Sequence, residues 1–344
     1  MGGAVGAGAR GRGGRWLALL GAGGLAALLV AAGGAALGQS GGGPPAGERG
    51  GKPGAPRPLL WRIEGETPSY LFGTIHLPDD RVRALPPAVE QAFAAAQAVY
   101  TEIPLDAASQ IEAARMMALP GTQTLQGVLP PELYERTVRY IEARGLPALP
   151  FMRLKVWAMS TQVSLLEVLP QLLLERPLDA ELAHRAAAAG KAVRALETVQ
   201  EQVGAFEALT LDEQIRMHRI TMEALDKEPE AARAYLEELV ALYLQGEPEA
   251  VRGALYRYLQ ADRELAAKAE RVLLAERDRR MAERIAEWLG REPGRVHLFA
   301  VGAAHLGGQD GIVARLRARG LVLERLGAAA PERRPEPEPA GAAR

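Results

Sequence analysis

The chain contains the stretch Val296-His297-Leu298-Phe299-Ala300-Val301-Gly302-Ala303-Ala304-His305-Leu306. The residues before Gly302 are almost all apolar and rich in β-branched and aromatic types, which is typical of a buried strand. A Gly-rich turn follows, and the apolar periodicity then predicts a helix over 310–319 and a last strand over 321–326. This strand, helix, strand order predicts an α/β fold.

A second stretch, Leu71-Phe72-Gly73-Thr74-Ile75-His76-Leu77, repeats the same arrangement. Both stretches place Gly-x-x-His-Leu at or just past the end of a predicted strand, and a loop and a helix follow each one. Ligands of open α/β sheets collect beyond the carboxyl ends of the strands. We therefore expect His76 and His305 to project into one crevice, although a single strand-end histidine more often bonds only to a nearby carbonyl.

The rest of the chain predicts a mostly helical protein around a central mixed sheet. Strands over 59–64 and 70–75 form a hairpin or tight connection, a helix over 86–96 leads to a strand over 98–103, and a strand over 192–196 follows a helix over 178–189. The 3.6-residue periodicity between these units predicts a large helical insertion, with breaks near Glu228-Pro229 and Gly246-Glu247-Pro248. The sheet is thus expected to be built from N- and C-terminal strand-helix-strand units.

The first 38 residues have the layout of a secretory signal peptide. Arg10, Arg12 and Arg15 precede an apolar run over 16–32, and Ala36-Leu37-Gly38 resembles a cleavage site. An uncleaved membrane anchor is the alternative, because the run approaches the length of a span. Either interpretation predicts an exported protein that is secreted, periplasmic or membrane-anchored. Residues 39–58 and 328–344 lack apolar periodicity and are expected to be a disordered linker and tail, leaving one domain over 59–327.

Composition excludes several classes of function. The formal net charge of -1 provides no field for binding nucleic acid or another polyanion. The absence of cysteine rules out disulfides, thiolate metal sites and cysteine nucleophiles. The motifs of zincins, serine hydrolases, nucleotide-binding loops and dinucleotide-binding folds are also missing from the sequence.

Two acidic residues follow predicted strands. Glu102 comes directly after Val99-Tyr100-Thr101 and would emerge beside His76 if the two strands paired in parallel, while Glu197 has the same placement after its own strand. Each is a solvated strand-end acid or a functional group. His76, His305, Glu102 and Glu197 together would supply the nitrogen and oxygen ligands that suit zinc, manganese or cobalt, and such an ion makes a nucleophile of bound water at neutral pH.

The other candidates have plain interpretations by composition alone. Arg277 lies in a charged helical stretch and is expected to be one more solvated cation. We expect the remaining histidines, His184, His218 and His297, to be surface or satisfied core residues. The helical tyrosines are expected to belong to the core more often than to a substrate groove; they are Tyr235, Tyr243, Tyr256 and Tyr258.

As a set, the segments 71–77, 100–103, 195–198, 276–285 and 299–311 resemble the TraB/GumN family, which is similar to the Tiki proteases of animals. The resemblance implies an α/β core related to erythromycin esterase and the haem-binding ChaN proteins, with a helical insertion. It implies that His76, Glu102, Arg277 and His305 are the matching functional positions, with Glu197 as a further candidate. The family often has Asn where this chain has Asp278. Members of the Tiki branch carry out metal-dependent proteolysis.

Three hypotheses follow for the function. The first is a metal-dependent hydrolase, a peptidase acting on a peptide or protein substrate, in which His76, His305 and Glu102 are ligands or ligands and general base, and Arg277 stabilises the oxyanion. The second is a cell-envelope protein that binds haem or a peptide without turnover. The third is a metal-free hydrolase like erythromycin esterase, with a histidine base. The sequence leaves the oligomeric state open.

Overall fold

The computed structural model describes residues 57–226 and 230–327. The predicted export segment and tail, most of the predicted linker and the predicted helix break at Glu228-Pro229 lie outside these residues.

The described residues form a six-stranded mixed sheet with the order β4-β3-β5-β2-β1-β6. The strands are β1 Leu60–Ile63, β2 Ser69–Thr74, β3 Ala98–Thr101, β4 Ala192–Ala195, β5 His297–Gly302 and β6 Leu323–Leu326. β1 is antiparallel to both of its neighbours, whereas β2, β5, β3 and β4 are parallel to one another. Four adjacent strands thus end at one edge of the sheet.

The centre of the sheet is the most apolar part of the strand set. Every residue of β3 and β5 is buried, so both faces of these central strands are covered, while the edge strand β4 is only partly covered. β5 lies between β2 and β3, so the strands that precede His76 and Glu102 are parallel but are not direct neighbours. The strand order is a long-range property that the local apolar pattern does not carry.

The two strands of the C-terminal strand-helix-strand unit, β5 and β6, are not neighbours in the sheet. After β5 and its helix, β6 crosses two strands and pairs with β1, with Ile63 opposite Leu323 and Leu60 opposite Leu326. The predicted hairpin between β1 and β2 is confirmed, with Leu60 opposite Phe72. The N- and C-terminal units therefore build one sheet together, as the sequence predicts.

Fifteen α-helices cover and extend the sheet in the part of the chain that the structure describes. They are α1 Asp80–Arg83, α2 Pro87–Ala95, α3 Ala107–Met116, α4 Leu125–Val128, α5 Pro131–Glu142, α6 Val156–Leu165, α7 Leu169–Leu174, α8 Leu178–Ala188, α9 Val199–Glu207, α10 Leu211–Leu225, α11 Ala231–Gln245, α12 Pro248–Tyr256, α13 Arg263–Glu270, α14 Glu276–Arg291 and α15 Ile312–Ala318. A π-helical segment, Arg271–Ala275, joins α13 to α14, and a 3₁₀ turn, Ala303–His305, follows β5.

Helix ends follow the local signals in the sequence. Thr198 and Thr210 form capping boxes with Glu201 and Glu213 at the starts of α9 and α10, satisfying backbone N–H groups that a helix leaves free. Gly246 closes α11 in the left-handed region at φ 74°, and α12 starts two residues later, which confirms the predicted break there.

The helices pack as an insertion with its own apolar interior. All ten residues of α6 are buried, and α10 packs along this helix. Tyr235, Tyr243 and Tyr256 are buried, which confirms their interpretation as core residues. Among the helices of the described residues, none has the length and apolarity needed to cross a membrane.

Candidate active site

The parallel strands deliver the predicted residues to one edge of the sheet. His76 lies two residues beyond β2, Glu102 directly follows β3, Glu197 lies two residues beyond β4, and His305 ends the 3₁₀ turn after β5. Because these strands are adjacent and parallel, their carboxyl ends meet. The backbone N–H of Glu197 donates to the carbonyl of Glu102 at 2.6 Å, which continues the β3–β4 pairing up to the site.

Glu102 is the centre of the site. Its Oε1 accepts the backbone N–H of Gly302 at 2.6 Å and lies 3.9 Å from His76 Nε2 and 3.7 Å from His305 Nε2. Its Oε2 accepts from Arg277 Nη2 at 2.6 Å and from Gln202 Nε2 at 3.3 Å. Burial acts to raise the pKa of Glu102, but His305, Arg277 and His76 outweigh it and lower the pKa well below its ordinary value. Glu102 is therefore a buried carboxylate that stays ionised.

Each of the two histidines has an aspartate behind its ring. His305 Nδ1 lies 2.5 Å from Asp278 Oδ1, and His76 Nδ1 lies 2.9 Å from Asp179 Oδ1. A carboxylate only accepts, so Nδ1 of His305 carries a proton and its Nε2 faces Glu102. In histidines that bind metal ions, one ring nitrogen commonly donates to a carboxylate and the other, here Nε2, faces the ion.

His76 differs from His305 in its hydrogen bonding. Its contact with Asp179 is off the direction of an N–H bond, so both of its ring nitrogens are buried without a hydrogen-bond partner. Burial acts to lower the pKa of His76, but Asp179 and Glu102 together raise it to about 10. The imidazole is thus held in a site that favours positive charge.

Arg277 is fully buried, which corrects the interpretation of this residue as a solvated cation. Its Nε and Nη2 donate to Glu197 Oε2 at 2.8 and 2.7 Å, and Nη2 also donates to Glu102. Its Nη1 reaches the carbonyl of Leu273 at 3.4 Å and lies 3.3 Å from His305 Nε2. Burial acts to lower the pKa of Arg277, but Glu197 and Glu102 raise it above its ordinary value. All three guanidinium nitrogens are engaged inside the protein.

The chain places Arg277 inward through an irregular helix. The π-helical segment Arg271–Ala275 ends two residues before it, and a π turn inserts an extra residue that rotates the following helix face. Arg277 and Asp278, just after this segment, are both buried, whereas Arg279 on the same helix is exposed. Charge alternation in the sequence gives no sign of this inward rotation.

Glu197 is fully buried and contacts two arginines. Its Oε2 accepts from Arg277, and its Oε1 accepts from Arg280 Nη2 at 2.9 Å. Arg277 therefore bridges Glu197 and Glu102, with Nη2 shared between the two carboxylates. The predicted ligand role of Glu197 stays a prediction, and its contacts favour the positioning of Arg277.

Sequence reasoning missed three polar partners of the site. Asp179 lies in the first turn of α8, Gln202 lies on α9, and Arg252 on α12 contacts Asp278. Acidic residues are common in a first helical turn for reasons of helix stability, so Asp179 carries no distinct signal. Asp278 was visible as the departure from the family pattern, but its contact with His305 was not.

The remaining histidines behave as expected. His184 is exposed, while His218 and His297 are buried and hydrogen-bonded within the core. Their interpretation as surface or satisfied core residues is confirmed. The site thus contains only the two histidines of the repeated motif.

The donor set suits a divalent metal ion by its chemistry. His76 Nε2 is a buried nitrogen without a hydrogen bond, and it lies 3.9 Å from Glu102 Oε1, while His305 Nε2 lies 3.7 Å from the same oxygen. Within residues 57–226 and 230–327, however, no three His, Asp or Glu side chains are already arranged around one ion position. Arg277 Nη1 lies 3.3 Å from His305 Nε2, so a metal ion and Arg277 would compete for the same lone pair.

The protein is thus an α/β protein with a mixed sheet. Its parallel strands end at a buried cluster of imidazole, carboxylate and guanidinium groups. The sequence profile of the TraB/PrgY/gumN family matches residues 59–325. The chain belongs to this family, which confirms the resemblance noted from the motifs.

Several curated relatives are metalloproteases by name. Metalloprotease TIKI1 of Danio rerio is 29% identical over 79% of this chain and 64% of its own length. Metalloprotease TIKI2 of Danio rerio is 27% identical over 77% of this chain and 60% of its own length. Metalloprotease TIKI1 of Homo sapiens is 27% identical, with coverage of 79% and 62%. The chain spans about three fifths of the length of these relatives. No solved structure matches it, so the expected kinship with erythromycin esterase and ChaN stays a prediction.

Proposed function

We propose that this protein is an exported, metal-dependent hydrolase that cleaves peptide bonds, and that His76 and His305 hold the ion through Nε2. The observation that carries the proposal is that both Nε2 atoms face one oxygen, Glu102 Oε1, at 3.9 and 3.7 Å. The aspartate bonded to His305 Nδ1 adds support, since such carboxylates orient metal-binding histidines, and Asp179 Oδ1 lies 2.9 Å from the Nδ1 of His76. The names of the metalloprotease relatives point the same way.

A divalent ion at this site would supply a Lewis acid and an activated water for hydrolysis. Glu102 would be the third ligand, because its ionised carboxylate offsets the positive charge of the site. The lowered pKa makes Glu102 a poor proton acceptor, so ligation suits it better than general base catalysis. The raised pKa of His76 means that metal binding must displace a proton from its ring.

Arg277 and Glu197 have supporting roles in this proposal. The nitrogens of Arg277 are already bonded to Glu197, Glu102, the Leu273 carbonyl and His305, which leaves little donor capacity for an oxyanion. We assign Arg277 to holding Glu102 ionised and oriented. Glu197 holds Arg277 in turn through two hydrogen bonds to Oε2.

Metal-free hydrolysis is the second candidate, and one observation favours it. Arg277 Nη1 already lies 3.3 Å from His305 Nε2, where a metal ion would bind. A metal-free mechanism needs a neutral histidine as base, however, and the pKa of about 10 keeps His76 protonated at neutral pH. His305 would have to release Arg277 before it could act as that base.

The test is metal analysis of the purified protein beside His76→Ala and His305→Ala, after loading with zinc, manganese or cobalt. We expect about one ion per chain in the wild type and none in either variant, because each loses a nitrogen ligand. His184→Ala is the matched control, since His184 is an exposed histidine away from the motif. A saturating ion at about 100 times its Kd should also stabilise the fold by about 2.7 kcal/mol.

Peptide-library cleavage then tests the activity. Cleavage that needs the metal and disappears in both histidine variants supports a peptidase. Cleavage that survives chelation indicates the metal-free mechanism instead. A protein that binds no ion and shows a Soret band with haem would contradict the proposal and indicate ligand binding.

A further inference from the structure

Arg252 is a buried arginine outside the strand-end cluster. It lies on α12 in the helical insertion, and its side chain is only 10% exposed. Its Nη1 donates to Asp278 Oδ2 at 2.9 Å, and its Nε donates to Glu270 Oε1 at 3.2 Å. Burying an arginine is costly unless it is paired, so this position has a specific partner in Asp278.

Asp278 divides its two oxygens between Arg252 and the site. Oδ2 accepts from Arg252, while Oδ1 lies 2.5 Å from His305 Nδ1. Asp278 is completely buried, and a carboxylate there needs a compensating cation. Arg252 is the cation that contacts Asp278 Oδ2, so the two buried side chains are paired with each other.

Arg252 also holds the backbone that carries His305. Its Nη1 lies 3.4 Å from the carbonyls of Ala304 and Gly307, on either side of His305. The start of α12 packs tightly on the same loop, because a Cβ on Gly307 would lie only 2.7 Å from the backbone nitrogen of Glu249. One side chain thus contacts both the aspartate and the loop that orient His305.

We propose that Arg252 is a positioning residue for His305 and acts through Asp278. By donating to Oδ2, Arg252 holds Asp278 with Oδ1 against His305 Nδ1, which favours the tautomer that carries its proton on Nδ1 and keeps Nε2 directed at Glu102. This inference rests on the proposed function for its consequence, which is tighter metal binding by His305. The effect of Arg252 on the tautomer of His305 can be measured without any metal ion.

The test compares Arg252→Met with wild type by metal titration and by ¹⁵N NMR of the histidine rings. We expect Arg252→Met to weaken metal affinity by about 10- to 100-fold, as loss of a ligand-orienting partner does. The NMR spectrum of neutral His305 should show Nδ1–H in the wild type and lose that preference in the variant. Arg279→Met is the matched control, because Arg279 is about half exposed on the helix that carries Asp278.

A second variant separates positioning from a merely structural role. Arg252→Met combined with Asp278→Asn removes the uncompensated charge but keeps an oxygen that can accept from Nδ1. We expect this double variant to recover part of the metal affinity lost in Arg252→Met. If Arg252→Met does not fold, Arg252→Lys keeps the charge without the forked geometry and should give an intermediate affinity.

The outcomes distinguish this inference from the proposed function. Wild-type affinity and an unchanged Nδ1–H tautomer in a folded Arg252 variant would overturn the positioning role, even if its melting temperature falls. A wild type that binds no metal, but whose His305 tautomer depends on Arg252, would overturn the metallohydrolase and leave the positioning role standing.

Discussion

Gly302 is the residue around which the candidate ligands converge. Its N–H donates to Glu102 Oε1, and a Cβ at this position would lie 3.0 Å from that oxygen and 3.6 Å from His76 Nε2. Its φ of -55° is ordinary for any residue. The glycine is therefore needed for space beside the two side chains rather than for its backbone conformation.

We expect Gly302→Ala to reduce metal affinity and kcat/KM by about 10- to 100-fold, because the added methyl group pushes Glu102 away from His76. The cost in stability should stay within about 1–3 kcal/mol, as for an overpacked site. Metal titration, steady-state kinetics and urea unfolding measure the three quantities.

Gly204→Ala is the control for this substitution. Gly204 is exposed on α9, and a Cβ there would meet no heavy atom within 4 Å. The Gly204→Ala substitution should stabilise the protein by about 0.5–1 kcal/mol and leave metal binding unchanged, since alanine is more favourable than glycine within a helix. Equal metal affinity in both alanine variants would show that Gly302 does not shape the site.

At the scale of elements, α10 packs against α5 and α6 through a buried histidine. His218 Nε2 lies 2.8 Å from Thr137 Oγ1, and its Nδ1 lies 3.1 Å from Ser160 Oγ. Each hydroxyl oxygen also lies within hydrogen-bond distance of a carbonyl of its own helix, so the hydroxyl beside the unprotonated ring nitrogen can donate to that nitrogen instead. Burial lowers the pKa of His218 from 6.5 to about 3, so the ring is neutral in the folded protein.

This shift predicts a loss of stability in mild acid. Between the folded pKa of about 3 and the unfolded value of 6.5, the unfolded chain binds the proton and the folded chain does not. The contribution is complete above the unfolded pKa and is lost as pH falls through this window. At about pH 5 the expected loss is about 2 kcal/mol relative to neutral pH.

His218→Gln isolates this contribution because glutamine keeps a donor and an acceptor but does not titrate. Urea unfolding at neutral pH and at about pH 5 should show a pH dependence smaller by about 2 kcal/mol in the variant. Other acidic groups contribute equally to both proteins and cancel. An identical pH dependence would mean that His218 can be protonated inside the folded protein.

The elements themselves were largely predictable, because helices and strands follow local periodicity. The predicted strand over 98–103 is β3 Ala98–Thr101, and the predicted helix over 178–189 is α8 Leu178–Ala188. The burial of all ten residues of α6 was not predictable in the same way. A helix loses its polar face only when neighbouring helices cover it, which depends on tertiary packing.

At the scale of the whole molecule, the sheet gathers residues that are far apart in sequence. Glu102 and Arg277 are separated by 175 positions in the sequence, yet Arg277 Nη2 lies 2.6 Å from Glu102 Oε2. The predicted ligands lie together because the carboxyl ends of parallel strands share an edge, even though β5 separates β2 from β3. The parallel direction of the strands mattered more to the site than their order.

At the same scale, the predicted export signal determines where the mature chain begins. If the first 38 residues are a signal peptide, protein exported with its own N-terminus should begin at Gln39, after the small residues Ala36 and Gly38. Mass spectrometry of the exported protein measures this. Gly38→Leu should block cleavage, because the processing site needs a small residue. An intact N-terminus that stays with the membrane in the wild type would support the anchor instead.

The sequence by itself determined the α/β class, the paired Gly-x-x-His motifs and the placement of Glu102 and Glu197 at strand ends, because these depend on local periodicity and on where strands stop. Only the tertiary structure decided that Arg277 is buried between the two carboxylates and that Asp179 and Asp278 stand behind the two histidines. The physical reason is that a charged side chain can be buried only when an oppositely charged partner lies beside it, and here those partners come from distant parts of the chain.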